Sequence, residues 1–212
     1  MDVYDTEKEQ LAKLKKWIQE NGMSIVLGVG LGLGGVYGWK AWQKHQVSQS
    51  ELISVELAEA MYQVSEKQYE SALSRASKIV SEHDGTLYSD MARLVIARAQ
   101  VEQGKLEDAA AILNEMVSRA QQKALQEVAR LRLARVYMAM SKYDQAEQVL
   151  VNEHGSAFAR SYEELRGDLK FHKGDKAGAR SSYLNALAMT GQQDDTRFLQ
   201  MKIDDLPANG DK

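Results

Sequence analysis

The chain has no cysteine, and its 212 residues include one proline, Pro207. The missing thiols exclude disulfides, thiolate metal sites and cysteine nucleophiles, and leave the compartment open. Without proline before residue 207, nothing in the interior breaks a helix by ring clash or a lost N–H. Aromatics are only 7% of residues, while Ala, Leu, Gln, Glu and Lys are plentiful, as in helical proteins. A net charge of −3 supplies no basic field, so no nucleic-acid partner is expected. Catalytic patterns are also missing. There is no P-loop, and no serine sits in a G-x-S-x-G context. His45, His83, His154 and His172 show no i, i+4 pair of the kind that holds zinc on a helix. Asp194–Asp195 and Asp204–Asp205 are adjacent pairs that point apart on a helix; they suit a helix start and a solvated face. No catalytic residue, metal or cofactor is expected, and the chain is read as a non-enzyme.

One long uncharged run stands out, GMSIVLGVGLGLGGVYGW from Gly22 to Trp39. Eighteen residues at ~1.5 Å each reach roughly 27 Å, the thickness of a bilayer's hydrocarbon core. Trp17, Trp39 and Trp42 flank it as an aromatic belt. A cleaved signal peptide would end in small residues, whereas this run ends in bulky and basic ones, so an uncleaved anchor is expected. Lys8, Lys13, Lys15 and Lys16 precede it and only Lys40 and Lys44 follow closely, which favours a cytoplasmic N-terminus. The expected organisation is a cytoplasmic segment at 1–21, a transmembrane helix at 22–39 and a domain across the membrane at 40–212. Leu11, Leu14 and Ile18 recur at helical spacing among lysines, as in a helix at the membrane surface. Gly30, Gly32 and Gly35 match G-x-G-x-x-G, but no strand pattern precedes them, so a dinucleotide site is not expected. Spacing by four puts Gly30, Gly34 and Gly38 on one face, where another membrane helix can pack closely.

The remainder repeats. Gly104 leads into KLEDAAAIL, Ser141 into KYDQAEQVL and Gly174 into DKAGARSSY. A weaker copy starts at Lys67 with QYESALSRA. The small residues Ala72, Ala109, Ala146 and Ala179 are spaced 37, 37 and 33 apart. Ala60, Ala97, Ala134 and Gly167 mark the matching close approach in each preceding helix, and Tyr69, Tyr137 and Tyr143 fill aromatic positions. A period near ~34 is that of the tetratricopeptide repeat, a pair of antiparallel helices. Helix pairs are predicted at 47–66 and 69–81, 87–103 and 106–120, 123–140 and 143–151, and 157–173 and 175–190. A capping helix is predicted at about 194–205. The first repeat helix is expected to run on from the apolar segment, with no Pro or Gly between Trp39 and Gly85. The expected fold is therefore all-α: one N-terminal transmembrane helix, then a tetratricopeptide-like α-solenoid with a C-terminal capping helix.

In such a stack the first helices line a concave face. The residues expected there are Leu57, Met61, Val64, Met91, Leu94, Arg98, Val101, Leu131, Arg135, Met138 and Phe171. Most are apolar, and methionine suits an adaptable binding surface. The alternative is that several of them pack against the first or the capping helix.

The chain as a whole resembles the YfgM family, the ancillary subunits of the SecYEG translocon in Gram-negative bacteria. The resemblance is carried by Glu20-Asn21-Gly22, by Gly38-Trp39 and by His45-Gln46-Val47. It continues in the stretches Leu131 to Val136, Leu165 to Gly167, Lys173 to Asp175, Gly178 to Arg180 and Met201 to Leu206. It implies a periplasmic domain on a single-pass inner-membrane anchor. It also implies three partners: the SecYEG translocon, a PpiD-like membrane-anchored periplasmic chaperone, and unfolded translocating proteins. The implied role is to help pass newly translocated chains to periplasmic chaperones, with no catalytic residues to carry over. A regulator of envelope stress signalling and a structural scaffold of an envelope complex are the alternatives.

Overall fold

The computed structural model describes residues 3–151, 156–191 and 195–207; His154 and Asp194 lie outside the described residues. In chain order the helices are α1 (Val3–Ser65), α2 (Tyr69–Glu82), α3 (Leu87–Glu102), α4 (Leu106–Arg119) and α5 (Lys123–Ala139). They continue with α6 (Tyr143–Leu150), a 3₁₀ turn at Ser156–Phe158, α7 (Ala159–His172), α8 (Lys176–Ala188) and α9 (Arg197–Asp204). No strand occurs among the described residues. The chain divides into two units between Leu52 and Ile53, inside α1 and beyond the end of the apolar run.

The first unit is helical, and its apolar side chains are bare. Leu27, Leu31, Val36 and Trp39 are all exposed. The rings of Trp39 and Trp42 lie 5.2 Å apart. Nothing stands within 4 Å of where a Cβ would sit on Gly30, Gly34 or Gly38. Among the described residues no single helix is long and apolar enough to cross a membrane. The stretches Glu9–Ser24 and Val26–Lys44, which meet at 49°, together have the length and composition for one crossing.

The second unit begins with the last turns of α1 and is a stack of helix pairs. Its core is a chain of local clusters. Leu57, Ala60 and Val64 of α1 pack with α2 and α3 around Ile79. Next, α3, α4 and α5 meet around Leu113, Met116 and Leu133. Then α5, α6 and α7 meet around Leu150, Tyr162 and Leu165. Finally α8 and α9 join through Tyr183, Leu199 and Ile203. Each pair needs its neighbour to finish burying its apolar face, which is the physics of a repeat stack. The repeat alanines Ala72, Ala109, Ala146 and Ala179 are fully buried, as are Ala60 and Ala134. At Gly167 the requirement is stricter: a Cβ there would stand 2.3 Å from Cε1 of Tyr183.

The turns inside the pairs are one device used four times. Lys67, Gly104, Ser141 and Gly174 have φ of 60, 76, 57 and 86°. The Gly104 N–H donates to the Val101 carbonyl at 2.9 Å and the Lys105 N–H to the Gln100 carbonyl at 2.8 Å; the same two bonds recur at the other three turns. This double bond with a left-handed residue is the Schellman motif, which satisfies the orphan carbonyls at a helix end. The helices predicted from 69 onward are present with ends shifted by a few residues, and the one predicted at 47–66 is the last part of α1. The capping helix begins at Arg197, where Oδ1 of Asp195 accepts the Arg197 N–H at 3.1 Å.

Candidate partner-binding groove

Helices α3 and α5 each pack against the helix before and the helix after them, so only a narrow strip of each can face a partner. In α3 the small residue Ala97 is buried and the next residue, Arg98, is exposed; in α5 Ala134 and Arg135 repeat this arrangement. In the last turns of α1, Ala60 is buried and Met61 is about half exposed. These strips border two open hollows. One, of about 160 Å³, is lined by Met61, Val64, Met91, Leu94, Val95, Arg98, Leu125 and Arg132. The other, of about 200 Å³, is lined by Ala97, Arg98, Val101, Leu113, Arg132, Arg135 and Val136. Arg98 and Arg132 line both, so the hollows form one trough over α1, α3 and α5.

The trough is apolar along its floor and cationic along its edge. Arg98, Arg132 and Arg135 are exposed, and among the described residues none of the three makes an ion pair. Arg132 has its pKa held below the ordinary arginine range, first by burial of part of the group and then by the charges of Arg135 and Arg98. It remains a cation, because guanidinium does not deprotonate in proteins.

Farther along the stack the position equivalent to Arg98 and Arg135 carries an acid. Asp168 follows Gly167 as Arg135 follows Ala134, and Glu164 lies one turn before Asp168. Both are already engaged by Lys202 of α9, at 2.7 Å from Asp168 and 2.8 Å from Glu164.

Of the residues expected on the concave face, Met61, Val64, Met91, Leu94, Arg98, Val101 and Arg135 line the trough. Leu57, Leu131 and Met138 do not. Leu57 packs in the first core cluster, and Leu131 and Met138 are buried against Tyr162, Leu165 and Leu169. Phe171 is half exposed, edge-on to His172 with centroids 6.1 Å apart, and lies outside both hollows. The residues missed are chiefly Val95, Leu125 and Arg132. Arg132 carried a signal, since it stands three residues before Arg135 and hence on the same helix face. Among the described residues no group of acids and histidines is placed to hold a metal ion.

The chain matches the tetratricopeptide repeat-like domain over residues 15–208. It is 34% identical over 206 residues to the ancillary SecYEG translocon subunit of Escherichia coli, covering 97% of this chain and 99% of that protein. Its identity to the ancillary SecYEG translocon subunit of Haemophilus influenzae is 30%, covering 96% of this chain and 99% of that one. Its identity to the protein of the same name in Aggregatibacter actinomycetemcomitans is 27%, covering 94% and 97%. The chain belongs to the YfgM family. No solved structure matches it. The stretches that carry the YfgM resemblance fall on working parts of the stack. Leu131 to Val136 supplies Arg132 and Arg135 to the trough, Lys173 to Asp175 forms the last Schellman turn, and Met201 to Leu206 holds Lys202.

Proposed function

We propose that this protein is a non-catalytic ancillary subunit of the SecYEG translocon, and that it binds other proteins through its helical stack. It is anchored in the inner membrane by the apolar run at 22–39, with residues 1–21 in the cytoplasm and residues 40–212 in the periplasm. Gly30, Gly34 and Gly38 form the face on which a partner's membrane helix packs. The stack engages translocating chains and a PpiD-like membrane-anchored chaperone, and helps pass newly translocated proteins on to periplasmic chaperones. The observation that carries this reading is the match to ancillary SecYEG translocon subunits along nearly the whole of both chains. The open trough supports it, because an exposed apolar surface lined by adaptable methionines suits protein binding rather than chemistry. The bent pair Glu9–Ser24 and Val26–Lys44 supports the anchor by length and composition.

The test is purification of the tagged full chain from membranes solubilised in mild detergent. Recovery of SecY with it is the expected outcome. Failure to recover any translocon subunit, with the full chain intact in the membrane fraction, would remove the reading.

A further inference from the structure

We propose that the trough selects an amphipathic polypeptide segment bearing carboxylate side chains, with its aliphatic face over the two hollows and its acidic residues on Arg98, Arg132 and Arg135. This rests on the reading of the stack as a protein-binding subunit, and adds which segment it prefers.

The first reason is local charge balance. Several other arginines in the stack have acidic partners on the same chain, although Arg75 and Arg180, which stand apart from one another in the sequence, have no ion pair among the described residues. Arg93 reaches Asp84 at 2.6 Å, Arg119 reaches Glu115 at 2.8 Å, and Arg166 reaches Glu163 at 2.6 Å. The three trough arginines line one hollow together and have no ion pair among the described residues. Three clustered cations repel one another, and they are left that way in the free protein.

The second reason is that the acid at the position equivalent to Arg98 and Arg135 is taken. Asp168 and Glu164 share Lys202. The trough's positive edge is therefore open toward a partner.

The third reason is the floor. Met61, Met91, Leu94 and Val101 present apolar, partly adaptable surface directly beside the guanidinium groups. A ligand that satisfies both must alternate aliphatic and anionic groups at side-chain spacing. Guanidinium binds carboxylate in a two-bond fork, and does so most strongly where nearby apolar surface excludes water. An amphipathic acidic segment has that chemistry. A nucleic acid has no aliphatic face for the floor.

The experiment uses the full chain in detergent and two labelled designed peptides of equal length and leucine pattern. One carries glutamates on its polar face and the other glutamines. The expected result is a preference of about tenfold or more for the glutamate peptide that shrinks as salt is raised. In the triple variant Arg98→Gln, Arg132→Gln, Arg135→Gln the preference should be lost, so that the two peptides bind alike. These side chains are exposed, and equal far-ultraviolet circular dichroism confirms that the variant is folded.

A wild-type chain that binds both peptides equally, or a triple variant that keeps the preference, overturns the proposal. So does displacement of the glutamate peptide by phosphatidylglycerol added as mixed micelles in the same detergent, from wild type but not from the variant, which would give the cations to lipid. Self-association lost in the triple variant would give the trough to a second copy and also overturn it. The functional reading is judged separately: if SecY co-purifies while the peptide preference is absent, only this inference fails.

Discussion

The ammonium of Lys202 on α9 stands 2.7 Å from Oδ1 of Asp168 on α7, an atom that also accepts the Tyr183 hydroxyl of α8 at 2.7 Å. The same ammonium lies 2.8 Å from Glu164 and 4.9 Å from the centroid of the Phe198 ring. One cation thus ties the capping helix to the last pair and keeps two half-buried carboxylates together.

Replacing that cation tests the tie. Lys202→Met keeps the length of the stem and removes the charge. Glu164 and Asp168 are then left facing each other with no counter-ion, a loss of about 1–3 kcal/mol. Denaturant unfolding of the variant should show it. Adding Asp168→Asn should recover part of the loss by removing one of the two repelling charges. A Lys202→Met chain as stable as wild type would mean that the ion triad is idle.

Gly167 and Tyr183 make a second tight pair, and the sign of a substitution tests it. A methyl group at Gly167 would stand 2.3 and 2.4 Å from the Tyr183 ring, so Gly167→Ala should destabilise by about 1–3 kcal/mol despite alanine's better helix propensity. In a Tyr183→Leu background the ring is gone. The same Gly167→Ala change should then be neutral or stabilising by up to about 1 kcal/mol. Thermal melts of the four chains complete the cycle, and equal effects in both backgrounds would refute the contact.

How much of this was legible follows from what each feature needs. A Schellman turn needs a left-handed residue, and the close crossing needs alanine or glycine. Lys67, Gly104, Ser141 and Gly174 with Ala72, Ala109, Ala146 and Ala179 therefore printed the repeat into the chain at nearly fixed spacing. The groove was less legible. Leu94 and Leu131 hold the same repeat position, yet Leu94 lines a hollow while α7 covers Leu131 with Tyr162 and Leu165. Spacing gives the face of a helix but not what the next pair lays over it. Lys202 was hidden for another reason: its partners lie 34 and 38 residues earlier, on a helix whose distance from α9 no local pattern encodes.

The non-glycine turns carry strain that can be released. Lys67 and Ser141 sit at φ of 60 and 57°, where a Cβ is crowded and the conformation costs about 1–2 kcal/mol. Ser141→Gly should stabilise by about 0.5–1 kcal/mol after the entropy that glycine adds to the unfolded chain. Gly104→Ala should destabilise by a similar amount, since Gly104 has φ of 76°. Opposite shifts in the midpoint of urea unfolding are the check.

Alkaline stability should depend on Tyr162, whose hydroxyl donates to Glu127 at 2.5 Å. Burial first, and then that hydrogen bond, push its pKa up to about 12, against ~10 for an unfolded tyrosine. The folded state holds the proton more tightly. Its contribution is therefore present below pH ~10 and is lost as pH rises toward ~12, a change of about 2–3 kcal/mol. Tyr162→Phe should flatten the fall in stability across that window. An unaltered pH slope would show that the phenol is not held this way.

Floor and core are separated by comparing substitutions at residues that look alike in sequence. Val101 and Met61 are exposed at the trough, whereas Leu131 and Met138 are buried. Val101→Asp adds a charge that solvent can reach, so folding should change by no more than about 0.5 kcal/mol. A carboxylate there would also repel the acidic segment proposed for Arg98 and Arg135 and break the apolar floor. Binding of the glutamate peptide should then weaken by about tenfold or more. Leu131→Ala does the opposite: it leaves a cavity against Tyr162 and Leu165, lowering stability by about 2–4 kcal/mol. Peptide affinity of the folded fraction should stay near wild type, because Leu131 lines neither hollow. If Val101→Asp left the peptide bound at full strength, the partner's contact surface would lie on another face of the stack.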